Sequence, residues 1–98
     1  MKNFKELDPL LHSQLRLAII SILAGVKEAD FSYLLDATQV TNGNLSVQIG
    51  KLKDAEYIDV KKSFENNYPK TTCKITRKGL KAFEKYVTDI QQYLSPKK

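Results

Sequence analysis

A chain of 98 residues with 42% hydrophobic and 28% charged residues has the length and balance of one globular domain that buries its own core without metal or disulfide support. Its single cysteine, Cys73, and single histidine, His12, exclude an internal disulfide and leave too few soft ligands for a usual zinc site, so no metal and no cofactor is expected. The net charge of +5 is unevenly held: residues 1–56 carry six Lys or Arg against seven acids, and residues 57–98 carry ten against four, which points to a polyanionic partner or to a solvated lysine face.

In chain order, Asp8-Pro9 reads as a helix start, a capping side chain followed by proline where its missing N–H costs nothing. Leu11, Leu15, Ala18, Ile19, Ile22 and Leu23 then recur mostly three and four apart, an apolar stripe that ends before Gly25. The run Leu17 to Val26 is the longest apolar one; at ten residues it falls short of the roughly 20 that cross a bilayer. It lacks the flanks of an export signal, so a cytoplasmic protein is expected, with no membrane partner. Asp30 caps a second, short helix with Phe31, Leu34 and Leu35 inward and Thr38 closing it. In the segment "QVTNGNLSVQIGKLKDAEYI" the Asn42-Gly43 pair would signal a hairpin between two strands. The apolar positions Leu45, Ile49, Leu52 and Ala55 that follow have helical period, so Thr41 is the N-cap of a third helix, 41–56, and Asn42-Gly43 its first turn. With no side chain at Gly43 and short amides on either side, that N-terminus stays open to a phosphate or a base edge.

Ile58 and Val60 alternate as in a strand of about 57–63. "FENNYPKTT" supplies a turn, and Cys73 and Ile75 alternate in the return strand. Thr76 caps a last helix, 76–95, in which Leu80, Phe83, Val87, Ile90 and Leu94 form a heptad seam. The polar tail Ser-Pro-Lys-Lys follows. Three helices, a hairpin and a long helix predict a mainly α fold with a small β-hairpin (α+β). This is a winged helix-turn-helix: a three-helix core, a two-stranded wing and a C-terminal dimerisation helix in one domain, 1–98.

The strings "TNGNLSVQIGKLKDAEYIDVKKSF" and "NNYPKTTCKITRKGLKAF" resemble the winged-helix regulators of the MarR and ArsR type, most closely their small stand-alone members. The shared pattern is Thr-x-Gly-Asn-Leu-Ser at the recognition helix, Leu52 and Tyr57-Ile58 leading into the wing, and Thr76-x-x-Gly79 opening the final helix. It runs from about His12 to Leu94. The resemblance implies a dimeric, DNA-binding transcriptional regulator. Metal-sensing ArsR members carry Cys and His clusters that this chain lacks. Larger MarR proteins add helices that form a ligand pocket at the dimer interface, and 98 residues leave little for that, so a small-molecule effector is possible but unsupported.

In that reading the third helix enters the major groove, where each base pair shows a distinct donor and acceptor pattern. With Leu45, Ile49 and Leu52 inward, the candidate DNA-binding residues are Thr41, Asn42, Gly43, Asn44, Ser46, Val47, Gln48 and Lys51, and Gly50 lets the backbone come close. Asn and Gln suit adenine edges, and Val47 a thymine methyl. In the wing, 61–72, Lys61, Lys62, Asn66, Asn67, Tyr68, Lys70 and Thr71 are placed to reach phosphates or the minor groove, while Tyr68-Pro69 equally serves to stiffen the turn.

The seam is narrower than the stripe a globular helix usually buries and matches two helices packed together. The expected homodimer interface is Leu80, Phe83, Val87, Ile90 and Leu94, joined by Phe4, Leu7, Leu10 and Leu11 of the N-terminal segment. A winged-helix protein-interaction module, with the seam binding another protein and the third helix merely structural, is the alternative. The amide, hydroxyl and lysine character of that helix's outer face favours DNA. Cys73 reads as a strand core residue and His12 as a capping or surface residue. No catalytic constellation appears, so no enzyme is expected.

Overall fold

The computed structural model describes residues 4–95; the tail beyond Ser95 lies outside them. Four helices and three strands follow one another as α1 (Gln14–Ala24), β1 (Ala29–Asp30), α2 (Phe31–Thr38), α3 (Asn42–Asp54), β2 (Ile58–Glu65), β3 (Tyr68–Ile75) and α4 (Arg77–Leu94). This is a winged helix, with one more strand than the sequence predicts. β1 pairs with β3 at Ala29↔Cys73 and Asp30↔Thr72, giving a three-stranded antiparallel sheet of order β1-β3-β2. A two-residue strand is too short to show alternation, which is why the sequence does not reveal it.

Helix starts follow short polar side chains. Asp30 accepts from the N–H of Tyr33 at 2.8 Å, Thr41 from Asn44 at 3.1 Å and Thr76 from Gly79 at 3.0 Å, each satisfying a donor that the first helical turn leaves free. The expected start at Asp8-Pro9 is displaced. Asp8 closes a turn of its own, its Oδ1 accepting from Leu10 N–H at 2.8 Å and its carbonyl from His12 N–H at 2.8 Å. α1 begins only after Ser13.

The core forms where these elements meet. Leu11, Ile19, Ile20 and Leu23 of the first helical region pack with Leu34, with Leu45, Ile49 and Leu52 of α3, and with Ile58, Cys73 and Tyr86. All three inward residues expected of α3 are there. So is Cys73, whose thiol burial pushes up to about 11, leaving it protonated and unreactive at neutral pH. α4 lies against this core through Gly79, Phe83, Tyr86, Asp89 and Ile90. The buried Asp89 pairs with Lys85 one turn earlier. Tyr86 brings its hydroxyl to 3.0 Å from Nδ1 of the exposed His12.

Between α3 and β2 the chain turns through Glu56, at a left-handed φ of 65°, and Tyr57 extends its phenol to Asp8. Burial first, and then this bond and the carboxylate's charge, push that phenol up to about 12. β2 and β3 run side by side from Ile58↔Ile75 to Glu65↔Tyr68, longer arms than the sequence predicts. Asn66 and Asn67 close them with φ of 51° and 66°, the left-handed values that a two-residue type I′ turn requires at both positions. Pro69 therefore lies in the strand rather than in the turn. β1 pairs only with residues 72 and 73, so the edge of β3 beside Pro69 has no strand needing its missing N–H.

Candidate nucleic-acid interface

α3 presents its polar side to solvent. Thr41, Asn42, Gly43, Asn44, Ser46, Val47 and Lys51 are exposed, Val47 at 55%, while the three leucine and isoleucine positions anchor the opposite side. A Cβ placed on Gly43 or on Gly50 would meet nothing within 4 Å, so the backbone on this side is open to close approach. The helix N-terminus points its free N–H groups out between the short side chains of Asn42 and Asn44, an arrangement suited to a phosphate oxygen. Lys51 and Lys53 occupy the last turn, where cations complement the helix dipole.

Gln48 departs from the expected free base reader. It is half-buried, its Oε1 accepts from Arg16 Nη1 of α1 at 2.5 Å, and its Nε2 donates to Asn44 Oδ1 at 3.1 Å. Arg16 also donates through Nε to the Leu10 carbonyl at 2.6 Å. The sequence reading misses Arg16, because 32 residues separate it from Gln48 and no local pattern links the two.

The wing carries its cations on both faces of the hairpin. Lys62 lies opposite Thr71 in the register, on the face that begins with Ile58 and Val60, while Lys61 lies opposite Thr72 and Lys70 opposite Ser63 on the other. Lys62 and Thr71 thus sit along the arms, four residues from the tip. Asn66, Asn67 and Tyr68 are at the tip, all exposed, with Tyr68 at 75% and its neighbour Phe64 at 77%. Lys70 reaches Glu65 at 3.2 Å. An exposed pair of this kind stabilises little and can be exchanged for another anion.

The seam of α4 splits into two. Phe83 and Ile90 turn toward the chain's own core, whereas Leu80, Val87 and Leu94, seven residues apart, stay 37%, 39% and 74% exposed. Leu11, expected at a dimer interface, is wholly buried within its own chain and is unavailable to a partner. Leu7 and Leu10 pack half-buried on the same core. Phe4 packs against Tyr93 with tilted rings whose centroids are 4.9 Å apart, and the Tyr93 hydroxyl donates to the Lys5 carbonyl at 2.7 Å. The N-terminal segment is thereby clasped to the end of α4.

Among the described residues, no group of three His, Cys, Asp or Glu side chains could hold a metal ion, and no helix is long and apolar enough to cross a membrane.

The profile of the winged helix DNA-binding domain matches residues 15–94, nearly everything from α1 to the end of α4. The chain belongs to the winged helix DNA-binding domain family. An uncharacterized protein of Methanocaldococcus jannaschii is 35% identical to this winged-helix protein over 83 residues, 85% of this chain and 90% of the relative. Among solved structures, a transcriptional regulator homologue from Pyrococcus horikoshii superposes with a TM-score of 0.80 at 24% identity, over 87% of this chain and 84% of that one. A mutant MarR from E. coli matches with a TM-score of 0.74 at 15% identity, covering 88% of this winged-helix chain and 62% of its own. The same mutant solved with operator DNA matches at 0.70 and 16%, over 88% and 61%. The fold is that of MarR-type regulators, and the family assigns this chain DNA binding.

Proposed function

We propose that this protein is a sequence-specific double-stranded DNA-binding transcriptional regulator that acts as a homodimer, with α3 in the major groove and the wing on the backbone or minor groove. The observation that carries the reading is the construction of α3. Three buried aliphatic residues fix one side, and the other offers amides, a hydroxyl, one valine and a lysine around an open N-terminus. Side chains of these types pair with base edges, and Val47 is the one apolar side chain on that face, suited to a thymine methyl. In the second half of the chain, with its ten Lys or Arg against four acids, the wing cations supply the sequence-independent attraction to phosphate that positions such a helix. The MarR mutant solved with operator DNA shares this fold and lends the reading further support.

Dimerisation rests on Leu80, Val87 and Leu94. Their spacing of seven puts them along one side of α4, and their own chain leaves each of them partly exposed, Leu94 most. A second copy using the same stripe buries both and creates a two-fold axis. Two recognition helices then fall about 34 Å apart, one turn of DNA, and the site is palindromic. Such a regulator acts where the chromosome is, in the cytoplasm, and the whole chain serves as one DNA-binding unit with α4 as its dimerisation helix. Asn44→Ala tests the base-reading role. On a duplex selected by the wild-type protein it costs roughly 1 to 3 kcal/mol and relaxes preference at one position per half-site; unchanged affinity and preference would refute the role of α3.

A further inference from the structure

Near its tip the wing holds an aromatic side chain that its own fold leaves largely uncovered. Phe64 is 77% exposed; it stands opposite Pro69 and is separated from the Asn66-Asn67 turn by one cross-strand pair. Along its face of the hairpin the pairs run outward as Val60↔Cys73, Lys62↔Thr71 and Phe64↔Pro69. The innermost of these packs on the core that α3 also lines, so this face looks to the side on which α3 lies. At about 3.3 Å per residue, Phe64 is roughly 13 Å beyond Val60 and roughly 7 Å beyond Lys62.

Single exposed apolar side chains are common, so the surroundings must say what Phe64 meets. Residues 61–72 carry Lys61, Lys62 and Lys70 against one acid, Glu65, which complements a polyanion. Glu65 and Tyr68 lie together on the opposite face, and the Phe64 face of the wing therefore holds no carboxylate to repel a phosphate. A stable protein partner needs about 800 Å² on each side, whereas a phenylalanine side chain has about 150 to 250 Å² to bury and Pro69 adds one small ring. The gap between two base pairs accepts a single side chain. Phe and Pro are among the apolar wedges with which minor-groove proteins part a base step and kink the duplex. The minor groove is about 7.5 Å deep, close to the separation of Phe64 from Lys62, so a ring at the groove floor leaves Lys62 level with the phosphates at its rim.

We propose that Phe64, backed by Pro69, is a wedge that enters the minor groove beside each half-site, unstacks one base step and bends the duplex there. Steps of pyrimidine followed by purine part most easily, so the wedge adds a sequence preference at positions that α3 does not touch. The inference rests on the DNA-binding reading given above.

The test uses the full-length wild type, Phe64→Thr, Phe64→Leu and Tyr68→Thr on duplexes selected by the wild type from a random pool, with 2-aminopurine substituted for each adenine in turn. Unstacking is read as a rise in 2-aminopurine fluorescence on binding. The wild type is expected to give that rise at a pyrimidine–purine step beside each half-site, and to favour that step over a stiffer one by at least about fivefold, the lower bound for one unfavourable base pair in a specific site. Phe64→Thr keeps a good strand former and removes the wedge, so both the rise and the step preference are lost while the half-site preference set by α3 stays. A role confined to hairpin stability would not separate the two. Phe64→Leu, still an apolar wedge, retains the signal, and so does Tyr68→Thr. A wild type that binds without unstacking any step, a Phe64→Thr complex unstacked like the wild type, or a signal lost in Tyr68→Thr instead overturns the wedge and leaves the recognition helix standing. A wild type that binds no duplex overturns the DNA-binding reading itself, and the wedge with it.

Discussion

Two glycines should respond to the same substitution with opposite signs. Gly79, in the first turn of α4, faces the start of β2. A Cβ built there would lie 2.1 Å from the Tyr57 carbonyl oxygen, 2.9 Å from its carbon and 3.1 Å from Ile75 Cγ1. Ordinary non-bonded carbon contacts are near 3.5 to 4.0 Å, so the shortfall exceeds about 1 Å, and the nearest obstacle is backbone. That backbone is also tied down. Tyr57 O accepts from Thr76 N–H at 3.0 Å and Glu56 O from the Thr76 hydroxyl at 2.7 Å, so relieving the clash strains the bonds that join α4 to the sheet. Overpacking of this kind costs roughly 1 to 3 kcal/mol, here toward the upper end, against about 1 kcal/mol of helix propensity gained by alanine. The net is about 1 to 2 kcal/mol of destabilisation, or a fall in Tm of roughly 5 to 15 °C for a domain of this size. Gly50 on α3 is the contrast. Nothing lies within 4 Å of its Cβ, so Gly50→Ala gains propensity without a clash and raises Tm by a few degrees, up to about 8 °C. Melting both variants by circular dichroism at one protein concentration decides the matter. A Gly79→Ala protein as stable as wild type would refute the close approach of α4 to Tyr57.

Val87→Asp, on the outward stripe of α4, should convert dimer to monomer in sedimentation equilibrium while the fold persists; a dimer that survives places the interface elsewhere. Ile90→Asp is the poorer probe, since Ile90 packs on its own core and a charge there unfolds the protomer. Lys70→Ala should weaken binding to all duplexes alike and reduce the salt dependence by about one phosphate contact; an unchanged slope means that Lys70 stays with Glu65. The Tyr57 phenol, raised to about 12 by burial and by Asp8, holds its proton longer in the folded state. Its stabilisation is therefore complete below pH 10 and is lost as pH rises from 10 toward 12. Tyr57→Phe should flatten that decline in melts taken across alkaline pH, and an identical decline in both proteins would contradict it.

Local capping chemistry made much of the fold legible. Asp30, Thr41 and Thr76 each stand immediately before the helix they cap, with the first apolar residue of its period within four positions, at Phe31, Leu45 and Leu80. The Asn42-Gly43 pair yields to the period of Leu45, Ile49 and Leu52 because burying three aliphatic side chains outweighs a two-residue turn preference. Asn66-Asn67 is the true hairpin turn, flanked by alternating strands. What stayed hidden depends on distant partners. Asp8 looks like a helix cap but is used by its own turn and by Tyr57, 49 residues away. The heptad seam of α4 was visible, but Phe83 and Ile90 cannot be told from Leu80, Val87 and Leu94 by residue type; Tyr86 and Asp89 on the core side decide which apolar residues turn outward. Arg16 gives no local signal, and its role shows only where α1 and α3 pack together. The chemistry of Gln48 and Asn44 suits base edges, but the direction of the Gln48 amide is fixed only by that arginine.

Selection of bound sequences from random duplex DNA, with the pool first tested for binding at two salt concentrations, addresses the central claim most directly. The account predicts binding that weakens with salt and enrichment of a palindrome whose half-sites lie about ten base pairs apart. No binding at low salt, or binding that enriches no sequence, would contradict it and turn attention to protein partners of the Leu80, Val87 and Leu94 stripe.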